Sequence, residues 1–157
     1  MEVVAAYRLD TMRLFVSRVR FSPDGKRIAG SGGAAGEAGC LVLWDVEVPK
    51  PSIVRRLERE TVAAMEFSPD GNVVASSCWP DNEVHLWNLP DLEVRAKLTL
   101  SPNNPPRPRK RAPKEEAEED DEDENETVVS RLAFSRDGKT LAAGCWDLKA
   151  KTWDLAT

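Results

Sequence analysis

The sequence predicts an all-β protein assembled from three copies of one antiparallel four-stranded unit, and three observations predict it. The string FSPDG occurs at residues 21–25 and 67–71, and FSRDG at 134–138. Each copy leads into a strand of small residues: RIAGS at 27–31, VVASS at 73–77 and TLAAG at 140–144. Each then reaches a tryptophan, in LVLWD at 41–45, VHLWN at 84–88 and AKTWD at 150–154. From Phe21 to Trp44, Phe67 to Trp87 and Phe134 to Trp153 the separations are 23, 20 and 19 residues. Two matched anchors at near-constant spacing, three times over, mark an internal repeat.

The first strand of each unit is short and rich in valine and phenylalanine (VSRVRFS, VAAMEFS, VSRLAFS), as strands are. The turn after it is set by residue chemistry. Pro23 and Pro69 preset φ at the second turn position, and the glycines supply the positive φ that closes it. After the second and third strands a fourth is expected at SIVRRLE (52–58) and EVRAKLTL (93–100). Phe21 and Phe67 are 46 residues apart and Phe67 and Phe134 are 67 apart; without the 26 residues of 101–126 the second period falls to 41. A period of about 40–45 residues with four strands and a Trp-Asp ending points to propeller blades. The expected organisation is a single domain, with blade one at about 10–58, blade two at about 59–100, blade three at about 127–155 and an insert at 101–126.

On these residues the chain resembles the WD-repeat β-propeller family, over nearly everything except the insert. The resemblance implies that Trp44, Trp87 and Trp153 are the structural tryptophans of the blades, with Phe21, Phe67 and Phe134 as their inner anchors. It also implies that Asp81 and Asp147, six residues before their tryptophans, are turn aspartates of a polar clamp. Two departures weaken that clamp. The Gly-His pair that precedes a blade in the family is absent, and blade one has Ala38 at the aspartate position. Blade one is expected to be the least rigid. Residues 3–9 (VVAAYRL) read as a spare outer strand, and the chain stops after the third strand of blade three. In closed family members such a strand completes the last blade.

Three blades are fewer than the 4–8 of a closed propeller. Two sheet faces, expected to be apolar, and one open edge then need protection. Three assemblies stay open: a piece of a longer propeller, a six-bladed ring of two copies that exchange strands, or an open array.

Composition narrows the chemistry. A net charge of -5 argues against general nucleic-acid affinity, and no apolar run approaches the roughly 20 residues that span a bilayer. MEVVAAYRLD has no basic n-region, so a cytoplasmic protein is the expectation. Cys40, Cys78 and Cys145 lie far apart and, with the single histidine His85, lack zinc-site spacing. No metal and no cofactor is expected, and the cysteines read as buried small apolar residues. GSGGAAG at 30–36 lacks the Lys-Ser/Thr ending of a phosphate loop and lies between strands. His85 occupies a position held by Val42 and Lys151 in the other units, so it reads as a strand residue rather than a general base. No catalytic residue is assigned. The insert carries a basic half, PPRPRKRAPK (105–114), and an acidic half, EEAEEDDEDENE (115–126), and is expected to be disordered. Arg107, Arg109, Lys110 and Arg111 resemble a nuclear-import signal, against the plainer reading of a self-neutralising solvated loop.

The function expected is a non-catalytic scaffold that presents propeller loops to protein or peptide partners. The alternative is a purely structural piece that completes a larger propeller and recognises nothing by itself. Trp146 falls outside the structural tryptophan set: it directly precedes Asp147. Trp79 lies two before Asp81 with Pro80 between. In the family the turn between the second and third strands opens onto the upper face. Trp79, Pro80 and Trp146 are therefore candidate partner contacts, weighed against a role as latches between blades.

Overall fold

The computed structural model describes residues 16–33, 39–57, 61–79, 83–100 and 128–156, with backbone alone at 49–52, 61 and 79. Among these residues there are only strands and turns, and every strand pairs with its sequence neighbour. β1 (Val16–Phe21), β2 (Arg27–Gly32), β3 (Gly39–Asp45) and β4 (Val48–Leu57) form the first antiparallel sheet. β5 (Thr61–Phe67), β6 (Val73–Trp79), β7 (Glu83–Asn88) and β8 (Glu93–Thr99) form the second. β9 (Val129–Phe134), β10 (Thr140–Cys145) and β11 (Ala150–Asp154) form the third. The expectation of four strands in every unit holds for two sheets. The third has three among the described residues, with β11 at its edge, and residues 3–9, expected to supply the fourth, lie outside them. The insert at 101–126 does too.

The sheets stack through their first strands, with β5 between β1 and β9. Arg18 Nε donates to the Ala63 carbonyl at 2.8 Å, and Arg20 Nε meets Glu66 Oε2 at 3.3 Å. Strand alternation then gives each sheet two faces with different jobs. Phe67, Val74 and Trp87 are cross-strand neighbours on one face, and they pack against Ala29, Leu41, Leu43 and Leu57 of the first sheet. Phe134, Leu141 and Trp153 form the same row in the third sheet and pack against Ala75, Val84 and Leu86 of the second. In the first sheet the row is Phe21, Ile28 and Trp44, directed away from the second sheet. Phe21 is accordingly 64% exposed, whereas Phe67 is buried.

The opposite face of the third sheet corrects the expectation of two apolar end faces. The register places Ala150 and Thr152 where the first two sheets have Leu41 and Leu43, and Val84 and Leu86. Ala133, Ala150 and Thr152 are exposed and Ala142 and Gly144 half-buried, so the stack ends there in small and polar side chains. A face of that kind costs little in water.

The Phe-Ser-x-Asp-Gly turns are three copies of one hydrogen-bonded device. Ser22, Ser68 and Ser135 each donate a hydroxyl to the aspartate two residues on, at 2.5, 2.6 and 2.6 Å. The same oxygens accept the N–H of Arg27, Val73 and Thr140, all at 2.9 Å. Gly25, Gly71 and Gly138 have φ of 69°, 71° and 71°, the left-handed conformation that the sequence assigned to them. Neighbouring turns also touch. A Cβ on Gly71 would lie 3.6 Å from Pro23 Cδ, and one on Gly138 3.7 Å from Pro69 Cδ, while Arg27 Nη2 donates to the Gly71 carbonyl at 3.2 Å.

These bonds need charged carboxylates. The Ser68 hydroxyl first, then the Asn72 N–H, hold the Asp70 carboxyl below its ordinary value of 3.8, and the matching serine and lysine N–H do the same for Asp24 and Asp137. A depressed folded-state pKa means the unfolded chain takes up protons first as pH falls, so this stabilisation is full above the ordinary value and is lost through the folded one. The urea midpoint is expected to drop as pH falls below about 4. Replacing all three aspartates by asparagine should flatten that part of the profile.

The tryptophan rows give a second test. Trp87 is buried between two sheets, so Trp87→Ala is expected to cost about 3–5 kcal/mol. Trp153 occupies the same row but is only half-buried, on the edge strand, so Trp153→Ala should cost distinctly less by urea titration.

Candidate functional site

The register fixes which turns share one end of the stack. Thr61 pairs with Trp79, Glu83 with Thr99, and Val129 with Cys145. The β6–β7 connection, the β10–β11 turn, the end of β8 and the start of β9 therefore lie together, opposite the Ser-Asp turns. A two-strand return with an aspartate in it forms the β10–β11 turn. Cys145 N donates to the Lys149 carbonyl at 3.0 Å, Trp146 N to the Val128 carbonyl at 3.0 Å, and Lys149 N to Asp147 Oδ1 at 3.2 Å. Lys151 Nζ braces it from below, 3.9 Å from Asp147 Oδ2 and donating at 2.7 Å to the Leu100 carbonyl beyond β8.

Of the candidate contacts, Trp146 is 72% exposed on this turn. Trp79 ends β6 and its side chain lies outside the described residues, as do Pro80 and Asp81 entirely. Ala38 and the four basic residues Arg107, Arg109, Lys110 and Arg111 are also outside. Asp147 is half-buried and bonded within its own turn. Sequence reading missed Leu148, fully exposed beside Trp146. Its signal was available, since a large apolar residue follows Asp147 where turn chemistry favours glycine or asparagine.

The second sheet contains a polar chain that the sequence did not reveal. Trp87 Nε1 donates to Ser76 Oγ at 2.8 Å; Ser76 Oγ lies 3.9 Å from Cys78 Sγ, which faces His85 Nδ1 at 3.3 Å. His85 Nε2 donates to Glu83 Oε2 at 2.9 Å, and Lys97 Nζ lies 3.4 Å from the same oxygen. Burial pushes the Glu83 carboxyl up, but the His85 bond and the Lys97 charge outweigh it and leave it below its ordinary value. His85 also stands edge-on to Trp87, with ring centroids 5.5 Å apart. Thiol, imidazole and carboxylate follow one another as in a nucleophile-base-orienter set, yet Cys78 and His85 are both buried inside the sheet. What the arrangement does is tie the strands on either side of the β6–β7 connection together.

A groove of about 490 Å³ runs over this chain between the first and second sheets, lined by Arg55, Arg56, Leu57, His85, Trp87 and Lys97. Arg55 crosses it, its Nε donating at 3.0 Å to the carbonyl of Leu92. Among the described residues no group of three or more His, Cys, Asp or Glu side chains has a metal-holding arrangement. Burial pushes the thiols of Cys40 and Cys145 above their ordinary value. No helix among these residues is long and apolar enough to cross a membrane.

Stacked antiparallel meanders, each with the same serine-aspartate turn between its first two strands, the second and third packing a tryptophan row against the preceding sheet, define a repeat protein of the propeller type. The WD domain, G-beta repeat family matches the chain at residues 9–45, 52–88 and 122–154. These segments take in most of the chain, which belongs to that WD40 family. Each matched segment spans the first three strands of a sheet together with residues that precede them: residues 52–88 contain the end of β4 with β5, β6 and β7. No curated protein matches the chain. Domains of this family are, as a kind, protein-interaction scaffolds and generally not catalysts.

The polar chain gives a test. His85→Val, the residue found at the equivalent Val42, should remove one partner each from the half-buried Glu83 and the buried Cys78 and cost about 1–3 kcal/mol, read from the urea midpoint at unchanged slope.

Proposed function

We propose that this chain is a non-catalytic recognition module. It engages protein or peptide partners through the end of the stack that carries Trp79, Pro80 and Trp146. The observation that carries the reading is the exposure of Trp146 on a turn held rigid from below. A large aromatic with few rotatable bonds loses little entropy on binding, and a central anchor of this kind contributes about 2 kcal/mol or more. The insert at 101–126 joins β8 to β9 and so is tethered at this same end. No cofactor is needed for this task.

Two observations favour the second reading, a structural piece that completes a larger propeller or pairs with a second copy. β11 has no outer partner among the described residues, and Phe21 stands open on the first sheet. Such a piece would recognise no soluble partner in isolation.

The separating experiment is a pull-down from the native host with the wild-type chain and with Trp79→Ala plus Trp146→Ala. Circular dichroism would establish that the double variant is folded. Partners are expected to be lost with the double variant. A folded double variant that retains all of them would mean that these tryptophans are latches and that recognition lies elsewhere.

A further inference from the structure

Among the described residues two leucines hold a left-handed backbone, and they do so in opposite settings. Leu92 has φ of 52° and is 1% exposed. Its side chain is part of the core between the first and second sheets, and its carbonyl accepts the Arg55 Nε–H. Packing and a cross-sheet bond hold that conformation in place. Leu148 has φ of 61° and is 100% exposed. A bulky side chain in this region is strained, and glycine or asparagine would take the same backbone without the penalty. Among the described residues no burial compensates Leu148 as it does Leu92. Strain that the fold does not require is a pointer to a function outside it.

The neighbourhood says what that function is. Trp146 and Leu148 flank Asp147, so two large apolar side chains stand in water on one four-residue return. The return is fixed by the bonds to Val128, Lys149 and Asp147 and by the Lys151 brace, so it presents them preformed. Among the described residues its exposed charged neighbours are cationic. The Asp147 carboxylate is taken up by the Lys149 N–H and faces Lys151, while the Lys149 side chain is exposed and Arg131, opposite Gly144 in register, is exposed as well. The corresponding connection of the first sheet, GGAAGE at 32–37, has no large apolar residue.

We infer that Trp146 and Leu148 together form a protruding plug that inserts into an apolar pocket rimmed by carboxylates on a partner protein, with Leu148 as the second anchor. This rests on the recognition reading above and adds to it the shape and charge of the partner's site. The partner supplies the concavity; Lys149 and Arg131 meet its rim.

The test uses the full chain with a photo-reactive amino acid at position 148. Proteins cross-linked in host extract are identified, and the main one is purified and titrated against wild type, Leu148→Gly and Lys149→Glu. Leu148→Gly is expected to weaken binding about tenfold or more while the urea midpoint of the free chain stays unchanged or rises. Lys149→Glu should weaken binding chiefly at low salt. A lower midpoint for Leu148→Gly would show that the leucine serves the fold, and unchanged affinity would remove it from the interface; either overturns the plug. Cross-links only to a second copy of the chain would assign the turn to self-association and overturn the partner reading, and absence of any cross-link would overturn the inference outright. If Leu148→Gly keeps its partner while the double tryptophan variant loses it, the recognition face stands and the plug alone fails.

Discussion

A β-sheet that is apolar on both faces cannot stand alone in water, and the stack follows from that constraint. The rows of phenylalanine, aliphatic residue and tryptophan in the second and third sheets pack on aliphatic residues of the sheet before, as Trp87 does on Leu41 and Leu43. The residue that faces the tryptophan ring inside its own sheet adapts to it in three ways. At Gly30 a Cβ would fall 2.4 Å from Trp44 Cζ3, so the ring occupies the space a side chain would need. Ser76 stands at the same register position in the second sheet and gives its hydroxyl to the Trp87 indole N–H. Ala143 stands there in the third, a methyl group beside a tryptophan that is only half-buried. The same register position therefore accepts glycine, serine or alanine, each a small residue beside the ring.

The strands were legible because their anchors repeat. Phe-Ser-x-Asp-Gly and the tryptophan are spaced by the length of two strands and two turns, and the strands lie within a residue or two of the expected segments, except that β4 begins at Val48, four residues before the expected 52–58. The serines were legible too, since Ser22, Ser68 and Ser135 recur beside the turn aspartates, although the turn was first explained by its proline and glycine alone. His85 was not. Its partners Ser76, Cys78 and Glu83 come from two strands, and only the register, with Ser76 opposite His85 and Cys78 opposite Glu83, brings them together. Taken alone, a single histidine in a strand gives no sign of that chain.

The end faces teach the opposite lesson. Ala150 and Thr152 can be compared with Leu41, Leu43, Val84 and Leu86 in the bare sequence, and the comparison already says that the third sheet presents a weaker face. The general expectation of apolar end faces obscured a difference written in single residues. Exposure of Phe21 and half-burial of Trp153 could not be read in this way. Each depends on what lies beyond its sheet, and equivalent residues in the middle of the stack are buried.

The polar chain and the candidate site are linked through the strand ends. Cys78 immediately precedes Trp79, and Glu83 opens the strand that follows the β6–β7 connection, so the Cys78–His85–Glu83 contacts clamp both roots of that connection. In the third sheet Lys151 does the same for the β10–β11 turn by bonding to the Leu100 carbonyl and facing Asp147. In the first sheet the positions equivalent to Cys78, His85 and Glu83 are Gly32, Val42 and Cys40, which offer no comparable side-chain chain. The two connections that carry a tryptophan are thus the two whose roots are polar and braced, and among the described residues the β2–β3 connection shows no such brace. Fixing the root of a turn lowers the entropy lost when its tip binds, because fewer backbone states remain to be frozen. Rigidity in this molecule is therefore placed under the aromatic residues, where recognition would use it.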